Sequence, residues 1–316
     1  MKLVQYSDNH QKFGAAKAAH AHAKKIGASA IIGSGDFFEE NVSKMKVLKG
    51  IDRAVVQEYM QLEQMKLRNK GISPEQETKF KPIHKKIRDQ IEKDATEVYR
   101  AYNAISAHYG IKTLVVMGNH DIVPAMKKEW KNATYLNEQT ANINGFKIAG
   151  LNNTYEVVPS FYDPKFSEGI VDDQPVSSLD QYLNQGMQKE DLMAQIADEI
   201  KQQPSYQRIV SAKPNMLVYH NPPNIGNATV LDNGQGNCES GILAEQIARE
   251  LKVPVLCGHI HEPKLMQADG IPIIRCGNEY LYEIEVNDRT KKIEYITVYK
   301  LVPKREQQAE PTRRAA

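Results

Sequence analysis

The chain predicts an α/β protein whose strands deliver polar loops to one edge. Short apolar runs alternate with helical patterns through the first half, and the runs stop at or near glycine before polar loops. Nine histidines are present, and five of them sit in polar clusters directly behind such runs.

Leu3–Tyr6 is the first apolar run, and Gln11–Ile26 follows with an alanine-rich helical pattern. Ala28–Ile32 is the second strand, ending at Gly33-Ser34-Gly35, and Ile111–Met117 is the third, ending at Gly118. Between them, Val42–Lys70 is a candidate helix closed by Gly71. Ser73-Pro74-Glu75-Gln76 then supplies an N-cap, a first-turn proline and an amide for a second helix reaching His108 before Gly110. This helical hairpin reads as an insertion, about 42–96, into a domain spanning 1–302. It holds 13 Lys and Arg against 8 Asp and Glu, in a chain whose net charge is only +2. Residues 143–152 suggest a strand hairpin about Asn144-Gly145. Residues 155–186 read as an irregular excursion. Asp191–Gln203 looks helical, Asn215–Tyr219 is a buried strand, and helix Ser240–Leu251 leads to strand Val253–Cys257. Strands and hairpins with a turn at Asn287-Asp288 fill 271–302, and the polar stretch 303–316 is expected to be a disordered tail.

The composition, 41% hydrophobic and 25% charged, is that of a globular protein, and no run of about 18 apolar residues suggests a membrane span. The chain enters its first strand at Lys2, which leaves no room for a signal peptide. Cys238, Cys257 and Cys276 are isolated and odd in number, so they read as structural thiols in a cytoplasmic protein. His20 and His22 on the first helix, and His84 and His108 in charged helical sequence, read as solvent-facing. Trp130 reads as capping a core or loop.

The chemistry lies in five clusters: Ser7-Asp8-Asn9-His10, Gly35-Asp36-Phe37-Phe38-Glu39, Gly118-Asn119-His120-Asp121, Tyr219-His220-Asn221 and Gly258-His259-Ile260-His261. Ligands bind at the carboxyl ends of strands in open α/β sheets, so five strands bring carboxylate, carboxamide and imidazole to one edge. These donors suit hard-to-borderline divalent cations, and the lack of paired thiolates argues against a structural zinc cluster.

In this order the blocks resemble the calcineurin-like metallophosphoesterases, whose pattern is DxH, GDxx[DE], GNH[DE], a lone His and GHxH. The stretch Tyr219–Pro263 is most similar to the Icc-related phosphoesterases common in archaea. The resemblance implies a four-layer α/β/β/α sandwich of two mixed sheets. It implies one metal on Asp8, His10, Asp36 and His261, and a second on Asp36, Asn119, His220 and His259, with Asp36 bridging. His120 would be the catalytic imidazole at the leaving group, and Asp121 would orient it. The ions would be Mn²⁺, Fe²⁺, Zn²⁺ or Ni²⁺. Two cations about 3.5–4 Å apart lower the pKa of a bridging water and hold phosphoryl oxygens for in-line attack, and a histidine titrating near neutrality suits the leaving group.

The sequence departs from the pattern where Glu39 replaces a common Asp and Glu40 replaces the Arg of protein serine/threonine phosphatases. Arg275-Cys276-Gly277-Asn278 stands where Asn-Pro-Gly-Ser is usual. The expected activity is hydrolysis of a phosphomonoester or phosphodiester, with a small-molecule or nucleotide ester as substrate. A nuclease of the same superfamily and a non-catalytic binding scaffold are the alternatives. Lys79, Lys81, Lys85, Lys86 and Arg88 form either a solvated helix face or a cap steering an anionic substrate.

Overall fold

The computed structural model describes residues 1–38, 51, 54–55, 57–59, 61, 73–118, 120–136, 138–151, 198–223, 225–226, 228–229, 242–301 and 312–315. Two mixed sheets carry the fold. The first has seven strands: β1 (Lys2–Tyr6), β2 (Ala30–Gly33), β3 (Thr113–Val115) and β4 (Ala133–Tyr135) run parallel to their neighbours. The antiparallel β11 (Tyr280–Val286), β12 (Ile293–Lys300) and β13 (Thr312–Ala315) extend it beyond β1. The second has six: β5 (Thr140–Ile143), β6 (Phe146–Gly150), β7 (Met216–Val218), β8 (Val255–Cys257), β9 (Lys264–Ala268) and β10 (Ile271–Arg275), in the order β5-β6-β7-β8-β10-β9. Strands β6, β7, β8 and β10 are mutually parallel.

The period-2 alternation of strands divides the core into layers. Leu3, Ala30, Ile32 and Leu114 of the first sheet meet Ile148, Met216, Val218, Leu256 and Ile274 of the second, in one cluster between the sheets. Val4, Tyr6, Ile31 and Val115 point the other way. They pack under α1 (Phe13–Ile26), α2 (Pro74–Tyr109) and α3 (Val123–Glu129). Leu217, Val255, Ile271 and Ile273 do the same under α4 (Pro204–Ala212) and α5 (Ile242–Leu251). The result is the four-layer α/β/β/α sandwich. Gln5 ties the two sheets from inside, its amide donating to Ser34 Oγ at 3.0 Å and to the Cys257 carbonyl at 3.2 Å.

Helix α2 begins where its sequence says it should. The Ser73 hydroxyl accepts from Gln76 N while the Gln76 side chain accepts from Ser73 N, a complete capping box with Pro74 in the first turn. Gly110, at φ 67°, ends it in the left-handed conformation that glycine adopts most cheaply. The candidate helix 42–70 lies largely outside the described residues. Within it Tyr59 packs its ring 6.0 Å from Phe80, and Lys79 pairs with Glu58 at 2.8 Å. The hairpin at Asn144-Gly145 forms as expected, with both residues at positive φ.

Elsewhere the fold differs from the sequence reading. Strand β13 forms within the stretch expected to be a tail, pairing Thr312–Ala315 with the otherwise open edge of β12. The helical pattern assigned to 191–203 is described only from residue 198. It stops before Pro204, which starts the separate helix α4 because proline favours a first turn. His20 is fully buried rather than solvent-facing. It shares the α1 stripe of Ala16, Ala19 and Ala23, and its Nδ1 lies 2.8 Å from the Ala16 carbonyl. Trp130 caps the helical side of the core, stacked on Tyr102 at 4.9 Å and edge-on to Phe37 at 5.0 Å. Cys257 and Cys276 are free and buried, and burial pushes the Cys257 thiol up to about 12. Among the described residues no helix is long and apolar enough to cross a membrane.

Candidate metal centre

The parallel strands β1, β2 and β3 end at the same edge as β7, β8 and β10, and the loops leaving them hold the predicted donors. Asp8 and His10 follow β1, Asp36 follows β2, His120 follows β3, His220 follows β7, and His259 and His261 follow β8. Asn119 lies outside the described residues.

These loops lock to one another through their backbones. Asp8 N, His10 N and Gln11 N donate to the carbonyls of Gly35, Asp36 and Phe37, each at 3.0 Å. That ladder bends the first loop hard: Asp8 (φ 52°), His10 (φ 40°) and Gln11 (φ 64°) all take positive φ, as do Asp36 (φ 53°) and His259 (φ 67°). Non-glycine residues adopt this region at a cost of order 1 kcal/mol each, and such strain concentrates at functional sites. The glycines leave the room that the donors occupy. A Cβ on Gly118 would lie 2.1 Å from Asp36 Oδ1, and one on Gly258 would lie 2.4 Å from Asp8 Oδ2.

The donors fall into two groups. Asp8, His10 and His261 form one, and Asp36, His220 and His259 the other. Within each group one ligand atom per residue lies within 4.8 Å of the others, and each could hold a metal ion. Each group takes residues from both sheets, so a bound cation would bridge the two layers. His10 Nε2 lies 2.9 Å from His261 Nε2, and His261 Nε2 lies 3.8 Å from Asp8 Oδ1. His220 Nε2 is 3.1 Å from Asp36 Oδ2, while its Nδ1 is 2.8 Å from the Ser34 carbonyl, which fixes the ring. The second carboxylate oxygen of Asp36 accepts from His120 N at 3.0 Å, so Asp36 joins the second group to the His120 loop.

The electrostatics suit cation binding. Burial, with further influence from neighbouring charges, lowers His10 to about 4 and His259 to about 3, so both imidazoles are neutral with lone pairs available. Burial pushes Asp8 up to about 7, since nothing cationic in the protein fully offsets its desolvation. Burial also pushes on Asp36, but the His220 charge and hydrogen bond outweigh it and hold Asp36 below the usual carboxylate range. The reciprocal attraction, against burial, raises His220 to about 10. Carboxylates and imidazoles in these proportions fit divalent cations of the Zn²⁺, Mn²⁺ and Fe²⁺ type.

Asp121 was expected to orient His120. Its hydrogen bonds run to three backbone amides and to one tyrosine hydroxyl. Oδ1 accepts from Phe37 N (3.0 Å), Phe38 N (3.1 Å) and the Tyr99 hydroxyl (2.9 Å), and Oδ2 accepts from Gly118 N (2.8 Å). Tyr99 in turn accepts from Ile122 N at 2.9 Å. A buried carboxylate thus knits the β2 and β3 loops together and pins them to α2. Tyr99 escaped the sequence reading, although the spacing of Val98, Tyr99, Tyr102 and Ile105 marks that face of α2 as buried. A cavity of about 480 Å³ opens over the donors, lined by His10, Asp36, His120, His259 and His261. Among the described residues Lys12 and Asn278 also line it; the sequence marks Asn278 only as part of the departure at 275–278 and does not single out Lys12.

The sequence profile of calcineurin-like phosphoesterases matches residues 1–263. The chain belongs to that family. As a calcineurin-like phosphoesterase it is a hydrolase of phosphoric esters. Comparison with curated proteins finds no match. Among solved structures, one at 14% identity superposes with a TM-score of 0.55 over 95% of this chain and 99% of that chain, a likeness of fold. TT1561 of Thermus thermophilus is similar at 11% identity and TM-score 0.49, covering 95% of this chain and 99% of that one. A dimetal phosphatase from Danio rerio is similar at 9% identity and TM-score 0.48, covering 100% and 98%.

Proposed function

We propose that this phosphoesterase hydrolyses a phosphomonoester or phosphodiester at a dinuclear metal centre. Asp8, His10, Asp36 and His261 hold one ion, and Asp36, Asn119, His220 and His259 hold the other. The observation that carries the reading is the pair of donor groups, drawn from both sheets and facing one cavity that His120 also lines. When bound, a metal pair lowers the pKa of water and neutralises phosphoryl charge.

The chain's own residues supply the rest. The neutral rings of His10 and His259 and the carboxylates of Asp8 and Asp36 set the positions of the cations. His120 is the general acid: a ring nitrogen gives its proton to the departing oxygen, which would otherwise leave as a costly alkoxide. Its backbone N–H donates to Asp36 Oδ1, which keeps that imidazole in register with the Asp36 carboxylate that would be shared between the two ions. Asp121 acts at one remove, holding the two loops whose spacing sets the His120–Asp36 relation. The cytoplasm is the compartment this reading assumes, given free buried thiols.

The test is an assay of protein loaded in turn with Mn²⁺, Zn²⁺, Fe²⁺ and Ni²⁺ on paired chromogenic mono- and diesters, nucleotides, cyclic nucleotides and oligonucleotides. Metal-dependent turnover of mono- or diesters supports the proposal. Salt-sensitive cleavage confined to oligonucleotides would make the protein a nuclease. No metal-dependent rate on any ester would leave a binding scaffold.

A further inference from the structure

Two polar groups on the cavity wall have no task in the metal centre. Lys12 lies just beyond His10, at the entry to α1, and its side chain is exposed toward the cavity. Among the described residues its ammonium makes no hydrogen bond and no ion pair. Asn278 faces the same cavity, half-buried, and its carboxamide likewise has no hydrogen-bond partner among the described residues.

The fold holds Asn278 there with some effort. Arg275 is fully buried, donating from Nη1 to the Ala228 carbonyl at 2.7 Å and from Nε to the Glu262 carbonyl at 2.9 Å. Tyr282 donates its hydroxyl to the Arg275 carbonyl at 2.9 Å. At Gly277 the backbone comes so near the His261 loop that an added Cβ would lie 2.5 Å from the His261 carbonyl. The Arg275-Cys276-Gly277-Asn278 turn is therefore clamped against the metal-donor loop, and the side chain it presents is an uncommitted amide.

We infer that Lys12 and Asn278 bind the non-bridging oxygens of the substrate phosphoryl group, and that Lys12 selects phosphomonoesters over diesters. The inference rests on the metal-centre reading above and narrows its substrate class. A monoester carries about −1.5 to −2 at neutral pH, whereas a diester has a single ionisable oxygen and carries one negative charge. An ammonium is a compact point charge that binds phosphate readily. Placed at the wall of a cavity, it favours the ester with the extra charge. The Asn278 amide adds a donor that reads a phosphoryl oxygen without adding charge.

The experiment compares wild type with Lys12→Met, Lys12→Arg and Asn278→Ala, all loaded with Mn²⁺. Metal content, the affinity for inorganic phosphate by titration calorimetry, and kcat/KM on an aryl phosphate and its bis-aryl diester are measured for each. Lys12→Met is expected to keep its metals and to lose phosphate affinity by about ten- to a hundredfold. It should lose monoester kcat/KM by a like factor and diester kcat/KM by much less, with Lys12→Arg recovering most of the loss. Asn278→Ala is expected to weaken both esters by about threefold to thirtyfold. Equal losses on the two esters with unchanged phosphate affinity, or loss of metal from Lys12→Met, would overturn the inference. If wild type turns over no ester, the metal-centre reading fails separately, and the phosphate titration alone then decides whether Lys12 is an anion site.

Discussion

His10 and His261 stand with their Nε2 atoms 2.9 Å apart, although 251 positions separate them in sequence. One sits on a loop of the seven-stranded sheet and the other on a loop of the six-stranded sheet, so their meeting depends on the packing of the two layers. His261 is half exposed, and its removal leaves the core intact. His261→Ala is therefore expected to fold normally and to bind one of the two proposed ions far more weakly. The loss should exceed the about 10–100-fold that follows removal of an outer-shell partner. Metal titration monitored by calorimetry, with circular dichroism as the folding control, checks this.

Gly118→Ala should disable the site by crowding. The new Cβ would lie 2.1 Å from Asp36 Oδ1 and 2.3 Å from Asp36 N, a contact that cannot persist. The expected result is destabilisation of about 1–3 kcal/mol together with weakened metal uptake, read by urea unfolding and by metal analysis. Gly14→Ala is the control. Nothing lies within 4 Å of its Cβ, and at the start of α1 it should be neutral or stabilising by up to about 1 kcal/mol.

Tyr99→Phe and Asp121→Ala test the brace beneath the loops. The first deletes one donor to Asp121 and one acceptor for Ile122 N, and should cost about 1–2 kcal/mol. The second strips the partner from the amides of Phe37, Phe38 and Gly118 and should cost more, because buried amides without acceptors each carry a penalty of about 1–3 kcal/mol. Chemical denaturation gives the order. A larger cost for Tyr99→Phe would contradict it.

Stability should also depend on pH through His20. Burial lowers its pKa, with the Ala16 carbonyl only partly opposing, so the folded state holds it neutral while the unfolded chain protonates near the ordinary value of about 6.5. The unfolded state then binds more protons, and stability is full above that pH and is lost as pH falls below it. The loss ends once pH drops beneath the folded-state value. The urea midpoint of metal-free protein between pH 8 and pH 5 should fall less steeply in His20→Gln than in wild type.

Much of the centre was legible because it is local in sequence. Asp8/His10 and His259/His261 are written as short motifs behind apolar strands, and the capping box at Ser73–Gln76 fixes the start of α2. What escaped is long-range. His20 looks exposed when only its helical neighbours are counted, yet Ser106, Thr113 and Tyr109 from distant segments close over it. Strand β13 depends on a free edge of β12 that composition does not reveal. Asp121 reads as a partner of the adjacent His120, whereas its hydrogen bonds follow the turn that brings Phe37 and Phe38 to it. Asn278 stands out in sequence only as a departure from the family pattern, and its place beside Lys12 becomes visible only when two loops enclose the same cavity.

Metal content measured beside turnover, on wild type, His120→Ala and Asp36→Asn, goes most directly to the dinuclear centre. Wild type is expected to hold two divalent ions per chain and to lose hydrolysis on chelation. His120→Ala should keep both ions while turnover of a poorly activated ester falls about 10²–10⁴-fold, and Asp36→Asn should lose ions and turnover together. A wild-type chain that takes up no divalent ion, or a His120→Ala variant with undiminished turnover, would contradict it.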